Sequence, residues 1–166
     1  MGGSSGGSIS YSDLTRLEES AKKKLINTDT DTSPHVFISF AYEDLNEVNL
    51  LRGQAKNENT PLQFDDHSVK EAFDSTNADY IKRQIREKID RVSVTAVYLS
   101  EHSAKSRWVN WEIAESLKRG KGVIGVYKGD SPPKVLPQTL TENGCKIVKW
   151  GHETLPKAIE EASKNR

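Results

Sequence analysis

The residues best suited to chemistry in this chain are a tryptophan and a glutamate, Trp108 and Glu112, which lie four positions apart. At that spacing two side chains lie one above the other on the same face of an α-helix. An apolar, β-branched run precedes them at Val92–Leu99, and a second apolar run follows at Gly122–Tyr127. The pattern predicts strand, loop, helix and strand. An aromatic plane beside a carboxylate, near the carboxyl end of a strand, can hold a nucleotide-like ligand.

The position of Glu112 on this helix leaves two interpretations open. Three apolar residues at helical spacing predict the buried stripe: Val109, Ile113 and Leu117. Trp108, Glu112 and Ser116 form the adjacent stripe, turned by roughly 100°. A carboxylate at the margin of a core is partly desolvated, which costs free energy unless something compensates it. Glu112 is therefore either a functional group, or it pairs with a neighbouring lysine or arginine or is favoured by the first helical turns.

A second candidate segment, Ser39–Asp44, leaves the first predicted strand, His35–Phe40. A serine and an aromatic residue there, followed by a turn and a helix, would present backbone N–H groups to a ligand. Ser39, Phe40, Tyr42 and Asp44 are the candidate binding residues of this segment. The same residues also fit an ordinary turn in which Asp44 caps the following helix. The segment alone does not decide between the two.

Composition excludes several classes of function. The chain has 166 residues, with 24 lysines and arginines against 24 aspartates and glutamates, so its formal net charge is zero. A neutral chain offers no general reason to expect nucleic acid or an anionic membrane as partner. No apolar run approaches the roughly 20 residues of a membrane span. Cys145 is the single cysteine, so an intramolecular disulfide is impossible. We expect a cytoplasmic protein.

The chain divides into three predicted regions. Residues 1–10 are rich in glycine and serine and predict a flexible linker or a tag remnant, without a secretory signal. Residues 11–33 contain an amphipathic helix, Tyr11–Leu25, with Ser12 as its N-cap, followed by a polar break over Asn27–Pro34. The apolar stripe of that helix packs either on this chain's own flank or on a partner. Residues 34–166 form the main α/β domain.

Strands and helices alternate through the main domain. The remaining predicted strands are Leu62–Phe64, Val92–Leu99, Gly122–Tyr127 and Lys146–Trp150. The predicted helices are Asp44–Lys56, Asn77–Asp90, Trp108–Arg119 and Leu155–Ser163, the last with Thr154 as its N-cap. This alternation predicts a flavodoxin-like three-layer α/β/α sandwich with a five-stranded parallel sheet.

Ligands bind outside the carboxyl ends of the strands in such sheets. Four segments are therefore candidates for a ligand-binding site: Ser39–Asp44, Asp65–Ser75, Ser100–Glu112 and Lys128–Pro137. Asp65, Asp66 and His67 suggest a metal site at first sight. Three consecutive residues on an extended loop cannot easily point at one ion, and no other histidine or cysteine stands at ligand spacing. We predict a solvated turn and no metal.

Taken together, the motifs resemble a TIR domain of the bacterial type found in Thoeris antiphage systems. The resemblance is carried by His35–Phe40, by Leu99-Ser100, and above all by Arg107–Ile113 with Gly120–Ile124, and it covers about Pro34 to Ser163. In NAD-consuming TIR domains the helix glutamate is catalytic, and it matches Glu112. The tryptophan one turn earlier matches Trp108. Many relatives carry an arginine after the serine–aromatic pair, where this chain has Ala41 and Tyr42.

The resemblance implies an enzyme that cleaves the nicotinamide–ribose bond of NAD, with NAD as substrate and no resident cofactor. In Thoeris relatives the product is a diffusible, ADP-ribose-derived signal for a separate effector. The alternative is a non-catalytic TIR-like module that signals by assembly; a third possibility is a generic flavodoxin-like ligand-binding domain. The family's mobile loop corresponds to Asp65–Ser75, where an exposed Phe73 would need a partner surface, either on its own domain or in a second copy.

Overall fold

The structure, a computed structural model, describes residues 10–29, 34–58, 60, 62–67 and 69–165, with only the backbone for residues 21–29. Contacts divide the chain into two units, Met1–Thr32 and Ser33–Arg166. The first contains helix α1, Tyr11–Asp29. It is longer than predicted, because no glycine or proline interrupts it before Asp29. Ser12 lies inside the helix, and Ser10 Oγ instead accepts a hydrogen bond from the Asp13 amide at 3.3 Å. Of the predicted linker, residues 1–10, all but Ser10 lie outside the described residues.

The second unit is built on a five-stranded parallel sheet, as predicted. Its strands are β1 (His35–Ser39), β2 (Gln63–Asp66), β3 (Val94–Leu99), β4 (Gly122–Tyr127) and β5 (Lys146–Lys149). They lie in the order β2-β1-β3-β4-β5, which is the flavodoxin-like order. Every residue of the central strand β3 is buried, which explains its continuous apolar sequence.

Helices cover both faces of this sheet. They are α2 (Leu45–Asn57), α3 (Ala78–Asp90), α4 (Arg107–Lys118), α5 (Gln138–Glu142) and α6 (Thr154–Lys164). Ile38 packs with residues of α2, and Val36 with residues of α6, on one face. Phe37 points to the other face and packs with α3 and with Trp108 of α4. The three layers follow from the alternation of side chains along each strand.

Helix α4 has well-defined ends. At its start the Ser106 hydroxyl accepts a hydrogen bond from the Val109 amide at 3.2 Å, which makes Ser106 an N-cap. At its end Gly120 adopts a φ of 70°, and the Lys121 amide donates to the Ser116 carbonyl at 2.9 Å. These are the features of a glycine C-cap.

Three details differ from the prediction. Strand β2 runs through Asp66, so Asp65 and Asp66 belong to the strand, and Asp66 forms an ion pair with Arg52 of α2 at 2.9 Å. Helix α5 was not predicted, because five residues are too few to show a period. Thr154 does not cap α6; it lies in the first turn and its hydroxyl donates to the Lys149 carbonyl at 2.9 Å. Across the described part of the chain, no helix combines the length and apolar character of a membrane span.

Candidate functional site

A cleft of about 370 Å³ opens at the carboxyl edge of the sheet. Three loops form it, those that follow β1, β2 and β3. Its lining consists of Phe40, Tyr42, Glu43, Val69, Lys70, Glu71, Ala72, Phe73, His102, Lys105, Ser106, Arg107, Trp108 and Glu112. The fourth expected segment, Lys128–Pro137, contributes no residue. This segment follows β4. In such a fold the crevice lies between β1 and β3, where the strand order changes direction, and β4 is one strand farther along the sheet.

Glu112 lies at the bottom of this cleft with 2 % of its surface exposed. Among the described residues none forms an ion pair with it, and its Oε2 atom has no hydrogen-bond partner. The structural explanation that the sequence left open, a salt bridge to a lysine or arginine, is therefore absent from the described part of the protein. A buried carboxyl oxygen without a partner is costly in a folded protein, and it marks Glu112 as a candidate for contact with a ligand.

The surroundings of Glu112 favour the protonated form. Burial raises the pKa of its carboxyl to about 8, and the negative charge of Asp66 adds to the increase. The Ser39 hydroxyl lies near enough to oppose this shift in pKa. No hydrogen bond of good geometry joins the two side chains, however, and among the described groups Ser39 Oγ also has no partner. Two buried polar groups thus face each other without satisfying each other.

Trp108 forms one wall of the cleft but also belongs to the core. It is 8 % exposed and packs in a cluster with Phe37 of β1 and three isoleucines of α3. Its indole Nε1 donates a hydrogen bond to the Glu71 carbonyl at 2.9 Å. The ring of Phe73 meets it edge-on, with the two centroids 4.9 Å apart. Trp108 therefore attaches the loop after β2 to helix α4.

Phe73 packs onto its own domain, one of the two arrangements that the sequence left open. Besides Trp108, two cations lie over its ring, Lys82 at 4.2 Å and Arg107 at 4.6 Å from the centroid. Arg107 also forms an ion pair with Asp74 of the same loop. Together these contacts hold the loop after β2 against α3 and α4, and the loop lines the same cleft as Glu112.

The segment after β1 contributes two of the four residues expected there. Phe40 and Tyr42 line the cleft, Phe40 buried and Tyr42 41 % exposed. Ser39 is fully buried behind them, next to Glu112. Asp44 is not among the lining residues. It stands at the N-cap position of α2 without capping it, and its carboxylate accepts a hydrogen bond from Ser100 Oγ at 2.5 Å.

Two lysines, an arginine and a histidine that line the cleft were not among the predicted binding residues. Lys70 lies on the loop after β2, and His102, Lys105 and Arg107 follow β3. All four lie inside segments that the topology had marked. Their types alone carried no signal, because lysines and arginines are spread along the whole chain. Within the described ranges, no group of three or more histidine, cysteine, aspartate or glutamate side chains could hold a metal ion.

Trp111 extends the aromatic cluster away from the cleft. Its ring lies perpendicular to that of Trp108, with the centroids 5.9 Å apart, and Arg86 of α3 stacks over it at 5.3 Å. Glu115, one turn after Trp111, pairs with Arg86 and with Arg119. The residues on this side of α4 thus bind the helix to α3. Only Glu112, of the two buried glutamates on α4, faces the cleft.

Comparison with known proteins gives matches of two kinds. Residues 37–132 match the family described as Thoeris protein ThsB, TIR-like domain. ThsB1 of Bacillus cereus (strain MSX-D12), provisionally named a cyclic ADP-D-ribose synthase, is 31 % identical over 96 residues, which cover 55 % of this chain and 50 % of that protein. The chain therefore spans about half the length of the curated relative that it matches.

Two solved structures have similar folds at low identity. One is the TIR domain of the Toll-related receptor TRR-2 from Hydra magnipapillata, with a TM-score of 0.49, 16 % identity, and coverage of 78 % of this chain and 94 % of that one. The other is the CMP N-glycosidase BcmB of Clostridium botulinum, with a TM-score of 0.47, 11 % identity, and coverage of 76 % and 98 %.

The family match begins within β1, includes β2, β3 and β4 and the whole of α4, and extends over more than half of the chain. It agrees with the motif Arg107–Ile113 on which the resemblance was based. The chain belongs to the family of ThsB TIR-like domains.

Proposed function

We propose that this domain is an NAD-processing enzyme that cleaves the nicotinamide–ribose bond, with Glu112 as its catalytic residue. One observation carries the proposal: the Glu112 carboxyl is buried, has an unpartnered oxygen and lies at the bottom of a cleft. Buried carboxyl groups with strongly raised pKa values in clefts are more common at functional sites than elsewhere. The provisional name of the B. cereus relative, a cyclic ADP-D-ribose synthase, supports the same chemistry.

The reaction fits a single carboxylate. When the nicotinamide–ribose bond breaks, its electron pair moves to the pyridinium nitrogen, so nicotinamide leaves neutral and needs no general acid. Positive charge develops on the ribose, and a negative oxygen beside it stabilises that state. Glu112 must therefore be ionised in the reacting complex. The cationic pyridinium of NAD favours this ionisation, because an opposite charge nearby lowers the pKa of a carboxyl group.

Aromatic residues of the cleft would hold the planar rings of the dinucleotide. Phe40, Tyr42 and Trp108 line it, and an aromatic face can stack on nicotinamide or adenine. Ser39 lies beside Glu112 and would orient its carboxylate. Asp44, away from the lining, would support the site through the loop after β3, which it holds by its hydrogen bond to Ser100.

The fate of the ribosyl group decides the product. Attack by water yields ADP-ribose, and attack by a nitrogen of the adenine in the same molecule yields a cyclic product; each reaction also releases nicotinamide and a proton. We propose a cyclic or otherwise ADP-ribose-derived signal in antiphage defence, acting on a separate effector. A cleft closed by Phe73 and Trp108 would exclude water and favour the intramolecular attack.

The test is release of nicotinamide from NAD by the purified chain and by Glu112→Gln. The substitution keeps the size of the side chain but removes its charge, so we expect turnover to fall by about 100- to 1000-fold, as when one electrostatic stabiliser is removed. Glu115→Gln is the matched control, since Glu115 is buried on the same helix but pairs with Arg86 and Arg119 away from the cleft. It should lower the melting temperature and leave turnover nearly unchanged. Full activity in Glu112→Gln would disprove the catalytic role.

The alternative function, signalling by assembly without catalysis, also has one observation in its favour. Glu112 is almost inaccessible when Phe73 and Trp108 are packed together. A module of that kind would bind a partner and release no nicotinamide under any condition. Nicotinamide release that disappears in Glu112→Gln would exclude it.

A further inference from the structure

We propose that Lys105 and the amino-terminal turn of α4 bind the diphosphate of the dinucleotide. This inference rests on the proposed function and extends it from the scissile bond to the rest of the substrate. The segment after the serine–aromatic pair offers no cation to an anionic ligand, because Ala41 is fully buried and Tyr42 carries no positive charge. A negatively charged part of the substrate therefore needs a different partner here.

The first observation is the start of α4. In an α-helix the first amide groups have no carbonyl partner within the helix. The Ser106 side chain takes the Val109 amide, which leaves the amides of Arg107 and Trp108. In the described part of the chain no backbone carbonyl outside the helix accepts from either. Ser106, Arg107 and Trp108 all border the cleft, and the positive end of the helix dipole adds to the attraction for an anion.

The second observation points independently to a ligand in the same cleft. Glu112 is only 2 % exposed, and its Oε2 atom lacks a hydrogen-bond partner among the described groups. Ser106 precedes Glu112 by six residues on the same helix, which corresponds to about 9 Å at 1.5 Å per residue. The ribose that Glu112 would contact and the diphosphate that follows it are separated by a distance of the same order. One extended ligand can therefore reach both ends.

Two of the lysines and arginines that line the cleft, Lys70 and Lys105, have no ion-pair partner among the described residues, and of these only Lys105 adjoins the amino-terminal turn of α4. Arg107 is already engaged, because it pairs with Asp74 and stacks on Phe73. His102 has Glu101 as a neighbour at 3.4 Å. Lys105 immediately precedes the N-cap and is exposed at the mouth of the cleft. Across the described residues no carboxylate lies within ion-pair distance of it. Lys105 is thus a cation available to an incoming anion.

The experiment compares two substrates in two proteins. NAD carries the diphosphate, whereas nicotinamide riboside has the same scissile bond and no phosphate. We expect Lys105→Gln to lower kcat/KM for NAD about tenfold, mainly through KM, because a hydrogen bond to a charged group is lost. The same variant should cleave nicotinamide riboside as the wild type does. The KM of the wild type for NAD should rise with salt, and that of Lys105→Gln should rise less.

The control is Lys118→Gln, which removes the same charge from the opposite end of α4, outside the cleft. It should leave both kinetic constants for NAD unchanged. Lys70→Gln tests the opposite wall of the cleft. If Lys70→Gln, and not Lys105→Gln, lowers kcat/KM for NAD while leaving that for nicotinamide riboside unchanged, the diphosphate lies on the loop after β2 and the inference is overturned. Equal losses for both substrates in Lys105→Gln would also overturn it.

A binding measurement separates this inference from the proposed reaction. ADP-ribose contains the diphosphate but no scissile nicotinamide, so its affinity can be measured by calorimetry even if the chain releases no nicotinamide. We expect Lys105→Gln to weaken ADP-ribose binding about tenfold, while Lys118→Gln does not. Absence of nicotinamide release with Lys105-dependent binding would refute the proposed reaction alone. Undiminished binding in Lys105→Gln, or no binding by the wild type, would refute the inference.

Discussion

At the scale of single residues, the unusual feature of this domain is a carboxyl group that the fold isolates. Glu115 and Glu112 lie three positions apart on the same helix and both are buried. Glu115 receives two arginines, whereas Glu112 receives none in the described structure and keeps an unpartnered oxygen. Leaving a buried polar group unsatisfied costs on the order of 1–3 kcal/mol. Such a cost is typical of functional sites, where a ligand later supplies the missing interaction.

The raised pKa of Glu112 predicts how stability depends on pH. Its pKa is about 8 in the folded protein against an ordinary 4.5. Between these two values the folded state retains a proton that the unfolded chain releases, so the free energy of unfolding falls as the pH rises and levels off above the folded pKa. Glu112→Gln has no such group. We expect the melting temperature of the wild type, relative to that of Glu112→Gln, to decline across this range. Parallel curves would show that the carboxyl titrates normally.

The same pKa predicts the pH profile of the reaction. The ionised carboxylate is the form that stabilises positive charge on the ribose, and burial depletes this form at neutral pH. We therefore expect kcat/KM for NAD, which reports on the free enzyme, to rise with pH, with its midpoint at about 8, and to level off above that pH. In kcat the midpoint should lie lower, because bound pyridinium favours the ionised form. A kcat/KM that falls over the same range would mean that the protonated carboxyl is the active form.

Trp108 needs a substitution that separates packing from ligand contact. Because the ring lies in a cluster with Phe37 and residues of α3, Trp108→Ala should lower the free energy of unfolding by about 3 kcal/mol. Its effect on activity would then not distinguish the two roles. Trp108→Phe keeps an aromatic ring but removes the hydrogen bond to the Glu71 carbonyl, which should cost about 1 kcal/mol. Chemical denaturation gives both values. A loss below about 1 kcal/mol in Trp108→Ala would show that the ring is not part of the core.

At the scale of elements, the loop after β2 forms one wall of the cleft. It contacts α4 through Trp108 and through the pair of Arg107 and Asp74, and it contacts both α3 and α4 through Phe73. The ion pair is exposed, so it contributes little to global stability. The aromatic contact joins the half-buried Phe73 to the buried Trp108 and holds the loop more firmly. Because Glu112 is almost fully covered, we expect substrate binding to require movement of a segment that lines the cleft, and this loop is one of them.

Phe73→Ser tests this arrangement. The substitution removes the ring that packs on Trp108 and under Lys82, so the loop should open more often and its amides should exchange hydrogen faster. If opening precedes binding, the KM for NAD should fall, because a larger fraction of the protein is competent to bind. Hydrogen exchange and steady-state kinetics measure the two effects. Asp74→Asn serves as comparison and should change both much less. Unchanged exchange in Phe73→Ser would contradict the role of the ring.

At the scale of the whole molecule, self-association remains a proposal. The neutral chain has no large excess of one charge that would keep copies apart. Phe73 packs on its own domain and therefore does not support assembly through the loop after β2. We therefore expect any dependence of the specific activity on protein concentration to be the same in the wild type and in Phe73→Ser. Rates of nicotinamide release per molecule over a wide range of concentration measure this. A dependence that disappears in Phe73→Ser would place the loop in an interface.

The sequence by itself determined the family, the alternation of strands and helices, and the face of α4 on which Glu112 lies. These features depend on local properties: the periods of apolar residues, the glycine at the end of α4, and the motif Arg107–Ile113. The ends of elements were less certain, as β2 and α1 show, because residues such as Asp65 and Asn27 take their conformation from neighbours that are distant in sequence or from the continuing helix.

Only the tertiary structure decided what surrounds each candidate residue. The sequence was compatible with a salt bridge to Glu112. In the described part of the fold no lysine or arginine pairs with Glu112, whereas two arginines pair with Glu115. The fold also packs Phe73 onto its own domain, places Asp44 outside the cleft, and brings Lys105 to the edge of the cleft. The physical reason is that burial, pairing and the resulting pKa depend on contacts between segments far apart in the chain, which no local spacing encodes.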